Sequence, residues 1–111
     1  MQKQHRLRKN SQFQYVYRKG KSQGAREITL LYAPSSKKLV GFSVGKKVGN
    51  AVRRNLVKRR LREAFRMEMP EIKNGLYIVA ARSLAAEADF RTLQKSLKYL
   101  LKKHKLYLTQ S

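Results

Sequence analysis

The sequence predicts an α+β fold, a single domain in which helices pack on a small sheet. Three observations carry that expectation. Two β-rich runs, 27–33 (EITLLYA) and 39–45 (LVGFSVG), flank a Pro-Ser-Ser-Lys-Lys turn. A third run, 76–82 (LYIVAAR), is apolar almost throughout, as in a strand covered on both faces. Stretches of helical period precede, separate and follow these runs. With 111 residues and 41% apolar content, one compact domain is the natural size.

Taken in order, residues 1–9 form a basic arm, expected to stay loose until something anionic orders it. Asn10 or Ser11 can cap a helix that Gly20 ends. Within it Phe13, Val16 and Tyr17 share a face; Val16 reads as core, while core packing and exposure stay equally open for Phe13. Residues 21–26 read as a turn-rich connection. The runs 27–33 and 39–45 then read as a hairpin, with Tyr32 on the strand face of Ile28 and Leu30. Gly49 and the N-cap candidate Asn50 introduce a long helix that Pro70 stops near 67–69. After the third strand and a linker at 84–88, Asp89 caps a last helix. That helix carries Phe90, Leu93, Leu97, Leu100 and Leu101 at helical spacing and fades near Lys105. The residues alone give the order α-β-β-α-β-α.

Charge points to a partner. The chain has 27 basic and 6 acidic residues, a formal net charge of +21. The basic residues are spread among periodic apolar ones rather than gathered in a tail. Self-repulsion at this charge weakens the compact state, and polyphosphate is the partner that relieves it, by counterion release. The long helix concentrates the effect: residues 46–66 hold nine Lys or Arg and one acid, Glu63. On a helical projection Val57, Leu61, Ala64 and Phe65 fall on one side. Asn55, Lys58, Arg59, Arg62 and Arg66 gather on the other, in an arc of about 100°. A solvated helical face ordinarily alternates its signs; this one does not, which marks it as a binding face. Lys46 and Lys47, just before the helix N-terminus, suit a phosphate. Phe13, Tyr17, Tyr32 and Tyr107 could line a trough where an unpaired strand stacks. The competing reading is that such rings fill a small core, with exposure favoured for the tyrosines.

Other classes are disfavoured. Zero Cys excludes disulfides, thiol nucleophiles and Cys-based zinc sites. No apolar run approaches about 18 residues, the minimum for a membrane span, and the N-terminus lacks an apolar signal core. A cytoplasmic protein with no membrane partner is expected. The six acids, Glu27, Glu63, Glu68, Glu71, Glu87 and Asp89, show no compelling metal-ligand spacing, and His5 and His104 have no evident catalytic partner. The chain by itself does not read as catalytic, and no cofactor of its own is expected.

The run 44–62, VGKKVGNAVRRNLVKRRLR, closely resembles the K-K-x-G-N-A-V-x-R-N signature of the bacterial ribonuclease P protein family. A second pattern of that family, R-L-x(5)-F-x-x-V-[FY]-x-x-G, is met by Arg6, Leu7, Phe13, Val16, Tyr17 and Gly20. The strand ending in Tyr32, the YIVAAR strand and the leucine-rich last helix follow in the family's order, so the resemblance covers almost the whole chain.

The resemblance implies an α-β-β-β-α-β-α fold of the ribosomal-protein domain-2-like type, with a small mixed sheet, a left-handed crossover and an extra strand near 21–24. It implies a subunit that joins a catalytic RNA and helps it remove the 5′ leader of precursor tRNA. The RNA would supply the Mg²⁺-dependent chemistry, and no obligate protein partner is expected. Lys46, Lys47, Gly49, Asn50, Arg53, Arg54, Asn55, Lys58, Arg59, Arg62 and Arg66 would face the catalytic RNA. Phe13, Tyr17, Tyr32 and Tyr107 would line a leader cleft, with Arg82 at its edge. One departure stands out: the family's R-N-R core reads Arg54-Asn55-Leu56, and Arg60 is offered as compensation. The rival readings are a structural ribosomal or RNA-chaperone protein, a self-sufficient nuclease, and a membrane-surface binder. None of them accounts for the ordered motifs.

Overall fold

The apolar run at Gly75–Ala81 becomes the centre of the sheet. In the computed structural model, which describes residues 5–109, the chain runs α1 (Asn10–Lys19), β1 (Lys21–Gly24), β2 (Ile28–Ala33), β3 (Lys38–Ser43), α2 (Ala51–Glu68), β4 (Gly75–Ala81) and α3 (Phe90–Lys103). Short 3₁₀ turns lie at Lys46–Val48, Met69–Glu71 and Ser83–Glu87. The strand implied at 21–24 is present, and the sheet order is β1-β2-β4-β3. β4 pairs antiparallel with β2, Tyr77 opposite Tyr32, and parallel with β3, Tyr77 opposite Val40.

The expected hairpin between 27–33 and 39–45 is therefore corrected, because β4 lies between those strands. Six of β4's seven residues are buried, a pattern that needs a neighbouring strand on each side and a covered surface on each face. The turn after β2 steps over the start of β4: Gly75 N donates to Lys37 O (2.7 Å), and Asn74 Nδ2 to Ser36 O (3.2 Å). The hairpin that does form is β1–β2, closed by Ala25 N donating to Ile28 O (2.8 Å). β1 reads KSQG, with no apolar alternation to announce it, and it occupies an edge where little needs burying.

Side-chain alternation divides the core in two. On one sheet face α2 and α3 bury Val57, Leu61, Phe65, Leu93 and Leu97 against Ile28, Leu30, Tyr77 and Val79. On the other, α1 sets Val16 against Leu31, Ala33, Leu76 and Ile78. Leu7 joins this second cluster, its amide donating to Val40 O (2.9 Å). So residues 5–7, expected within a loose arm, are docked on β3, and Lys9 already caps α1; residues 1–4 lie outside the described residues. Burial of Val57, Leu61 and Phe65, at roughly 1.5–3 kcal/mol each, fixes the rotation of α2 about its own axis. That rotation decides which α2 residues face outward.

Candidate nucleic-acid interface

α2 starts where the sequence places it. Asn50 Oδ1 accepts from Arg53 N (2.9 Å), a side-chain N-cap. Gly49 has φ +147°, a backbone that a side chain would strain, and an added Cβ would crowd the Arg53 stem. This turn holds Lys46 and Lys47 exposed just ahead of the helix.

With Val57, Leu61, Ala64 and Phe65 buried, Arg53, Asn55, Arg59 and Arg66 are exposed, and Arg54, Lys58 and Arg62 are half-buried. The cations divide by what they already hold. Arg53 Nη1 donates to Ala86 O (3.3 Å) and Arg60 Nη1 to Ala88 O (2.8 Å), tying α2 to the segment after β4. Arg60, offered as compensation for Leu56, thus already spends one of its donors on the protein. Arg66 makes a two-toothed pair with Glu63, whose carboxyl this bonding holds below the usual range. Lys46, Lys47, Lys58, Arg59 and Arg62 bond no protein acceptor among the described residues. Arg54 keeps a buried Nε with no partner. Only two ion pairs form among the described residues, Arg66–Glu63 and a long Lys98–Glu68 contact at 3.9 Å, so nearly all the positive charge is uncompensated.

Leu56 sits half-buried in a depression of about 380 Å³ with Val48, Asn50, Val52, Arg53 and Ala86. An apolar patch therefore interrupts the cationic surface at this point.

The aromatic residues do not form one trough. Phe13 packs the tip of its ring against Gly41, where a Cβ would collide with it. It lines a notch of about 140 Å³ with Arg6, Val40, Phe42, Lys58 and Arg62. Tyr17, one turn later, is 51% exposed. Tyr32 and Tyr107 lie instead with the core on the opposite sheet face. The Tyr32 ring packs against Tyr77 (centroids 5.0 Å), and its hydroxyl donates to Asn74 O (2.9 Å). Tyr107 donates to Glu68 Oε1 (2.7 Å), and burial with this bond raises its pKa. Arg82 does share the sheet face of Phe13. Ile78, Ala80 and Arg82 follow one another at alternate positions on that side of the chain, and Arg82 reaches across to Ala25 O (3.1 Å).

Between Phe13 and Arg82 the floor is the row Thr29–Ala80–Ser43, matched across three strands. These short side chains leave a flat strip of about 13 Å from Ile78 to Arg82, taking four residues at 3.3 Å each. The sequence did not mark Thr29, Ala80 and Ser43, because only the three-strand register brings them together. Arg6 likewise falls in the expected basic arm, where no periodicity announces its place beside the notch.

Among the described residues no helix is long and apolar enough to cross a membrane.

A family profile described as Ribonuclease P matches residues 1–105. The chain is 42% identical over 114 residues to the ribonuclease P protein component of Bacillus pumilus, covering 99% of this chain and 96% of that one. It is 46% identical over 103 residues to that of Natranaerobius thermophilus, covering 90% of each. Its structure is similar to the Staphylococcus aureus RNase P protein, with a TM-score of 0.86, 36% identity, and 93% and 97% of the two chains covered. For the Thermotoga maritima RNase P protein the values are 0.79, 32%, 88% and 96%.

Proposed function

The chain belongs to the ribonuclease P protein family, and from that premise we propose how it serves tRNA 5′ maturation. It binds the catalytic RNA of ribonuclease P through the outward face of α2. It holds the 5′ leader of precursor tRNA on the α1 side of the sheet. The observation that carries this reading is the notch in which Phe13 meets Lys58 and Arg62. There an aromatic platform for an unpaired base adjoins cations for a folded RNA's phosphates, so one small surface can hold the two RNAs side by side.

Each α2 cation set against a phosphate releases a condensed counterion, which supplies affinity without sequence preference. Phe13 and Tyr17 stack leader bases, a contact worth about 1–3 kcal/mol per base for any sequence. The strip of Thr29, Ala80 and Ser43 lets the strand lie against the sheet, and Arg82 meets its backbone. Tyr32 and Tyr107 support the fold from the other face.

The hydrolytic Mg²⁺ belongs to the RNA in this reading. Four of the six acids are engaged in the protein's own bonding: Glu63 with Arg66, Glu68 with Tyr107, Glu27 with Ser96, and Asp89 as the α3 cap. The proposed site of action is cytoplasmic.

Cleavage of a 5′-extended precursor tRNA at low Mg²⁺ tests this, with protein alone, bacterial ribonuclease P RNA alone, and both. Cutting at the mature 5′ end only in the mixture is the expected result. Cutting by the protein alone, or a mixture no better than the RNA, overturns it.

A further inference from the structure

A second surface remains at the other side of the sheet, where β1 is the edge. Between the β1–β2 turn and α3 lies an open depression of about 680 Å³, lined by Arg26, Glu27, Arg82, Leu84, Ser96 and Tyr99. Two of these are apolar groups turned to solvent, Tyr99 at 55% exposure and Leu84 at 49%. One cation lies over a face of the ring. Lys103 Nζ lies 5.5 Å from the Tyr99 centroid, and Lys95 is exposed one turn earlier on α3. A half-exposed ring with a cation over one face and a second cation one turn away can stack an unpaired base on its other face and hold the neighbouring phosphates.

Glu27 gives the depression an acceptor. In a chain of net charge +21 its carboxylate forms no ion pair among the described residues, although Arg26 and Arg82 line the same depression. One oxygen accepts from the Ser96 hydroxyl; the other carries no hydrogen bond among the described residues. A carboxylate has about four lone-pair sites, so most of its accepting capacity is unused. Of the four RNA bases, guanine presents an imino and an amino N–H side by side, matching the two oxygens of a carboxylate. Adenine presents an acceptor beside its amino group and would set that acceptor against Glu27.

We propose that this depression is a second single-strand RNA site that takes one unpaired guanine. The base stacks on Tyr99, its N–H edge meets Glu27, and the neighbouring phosphates lie on Arg26 and Lys103. The site goes beyond the leader strip of α1, since it is built on the opposite strand edge and on α3. Arg82 stands at the rim of both.

Anisotropy with 3′-fluorescein-labelled RNA octamers tests this, one of adenosine only and one with a single central guanosine. The full chain carries Phe13→Ala and Tyr17→Ala, so that the α1 side does not mask the second site. The guanosine octamer is expected to bind about tenfold tighter, a step within the range of one base contact. Tyr99→Ala removes about tenfold of that affinity, and Tyr99→Phe retains it. Glu27→Gln abolishes the guanosine preference, since the amide has lost one acceptor and the charge, and the adenosine octamer binds as tightly as before or tighter. Equal binding of the two octamers, a preference that survives Glu27→Gln, or unchanged affinity after Tyr99→Ala overturns the proposal. Tyr99 is exposed, and circular dichroism confirms that each variant is folded.

Discussion

Lys58, Arg59 and Arg62 face outward with no protein acceptor, whereas Arg60, between them in sequence, is bonded to Ala88 O at 2.8 Å. Replacing the first three together by Ala removes three phosphate contacts with the catalytic RNA. Each contact contributes about 0.9 to the slope of log affinity against log salt, so a fourfold rise from 50 to 200 mM salt weakens it about 3.5-fold. Three contacts compound to about 40-fold. The triple variant's deficit relative to the unsubstituted chain therefore shrinks about 40-fold across that range, and its slope is shallower by about 2.7. Arg60→Ala makes the internal control. It breaks a charge-assisted bond that ties α2 to the segment after β4, costing about 1.5–3 kcal/mol of stability. It lowers the urea midpoint with m unchanged and leaves the salt slope as it was. Titration of labelled catalytic RNA over a potassium chloride series, beside urea melts, reads both effects. An unaltered slope in the triple variant, or a unit of slope lost with Arg60→Ala, would refute the division of the helix into RNA-facing and structural cations.

Phe13→Ala with Tyr17→Ala is expected to weaken binding of leader-bearing precursor while mature tRNA binds nearly as before; equal losses for both ligands would remove the leader from the α1 side. A polyphosphate at 100 times its Kd adds about 2.7 kcal/mol to the stability of the folded state, a rise in Tm of roughly 10–20 °C for a domain near this size. Potassium chloride at matched ionic strength giving the same rise would argue against specific relief of charge. Burial lowers the pKa of His104, whose Nε2 lies 3.1 Å from Leu30 O, and Lys103 and Lys21 act in the same direction. The unfolded chain then binds the proton more readily, so stability is full above about pH 6.5 and falls as pH drops through that value. His104→Gln flattens the melting profile between pH 7 and 5, and an unchanged profile in that variant would exclude His104 as its source.

The parts legible in the sequence are those governed by local pattern. The apolar side of α2, its Asn50 cap, the buried run of β4 and the leucines of α3 each follow from spacing within one element, and the structure shows all of them. What was not legible depends on which elements meet. Pairing of β2 with β3 is the short-range choice across a five-residue turn. It gives way because β4 has apolar residues on both faces and gains two covered sides only by lying between them. Tyr32 was assigned to a strand face correctly by alternation, but which helices cover that face is a tertiary fact. The same fact separates it from Phe13. The docking of Leu7 is not legible because one leucine among seven basic or amide residues carries no period.

The insertion of β4 has a consequence for the interface. It pushes β3 to the edge of the sheet, and at an edge the two faces are no longer partitioned by a neighbouring strand. The notch that holds Phe13 is accordingly lined from both sides: Gly41 belongs to the face under α1, while Val40 and Phe42 belong to the face under α2. Phe13 reaches the notch over Gly41, the one β3 position with no side chain to block its ring. Lys58 and Arg62 reach it from the other side, because burial of Val57 and Leu61 turns them toward that edge. Had β2 and β3 paired, β3 would have been enclosed, and the sheet between α1 and α2 would have continued past the position of the notch. The aromatic and cationic surfaces that the sequence could only describe separately are joined by the strand order, and Gly41 is the residue on which that junction depends.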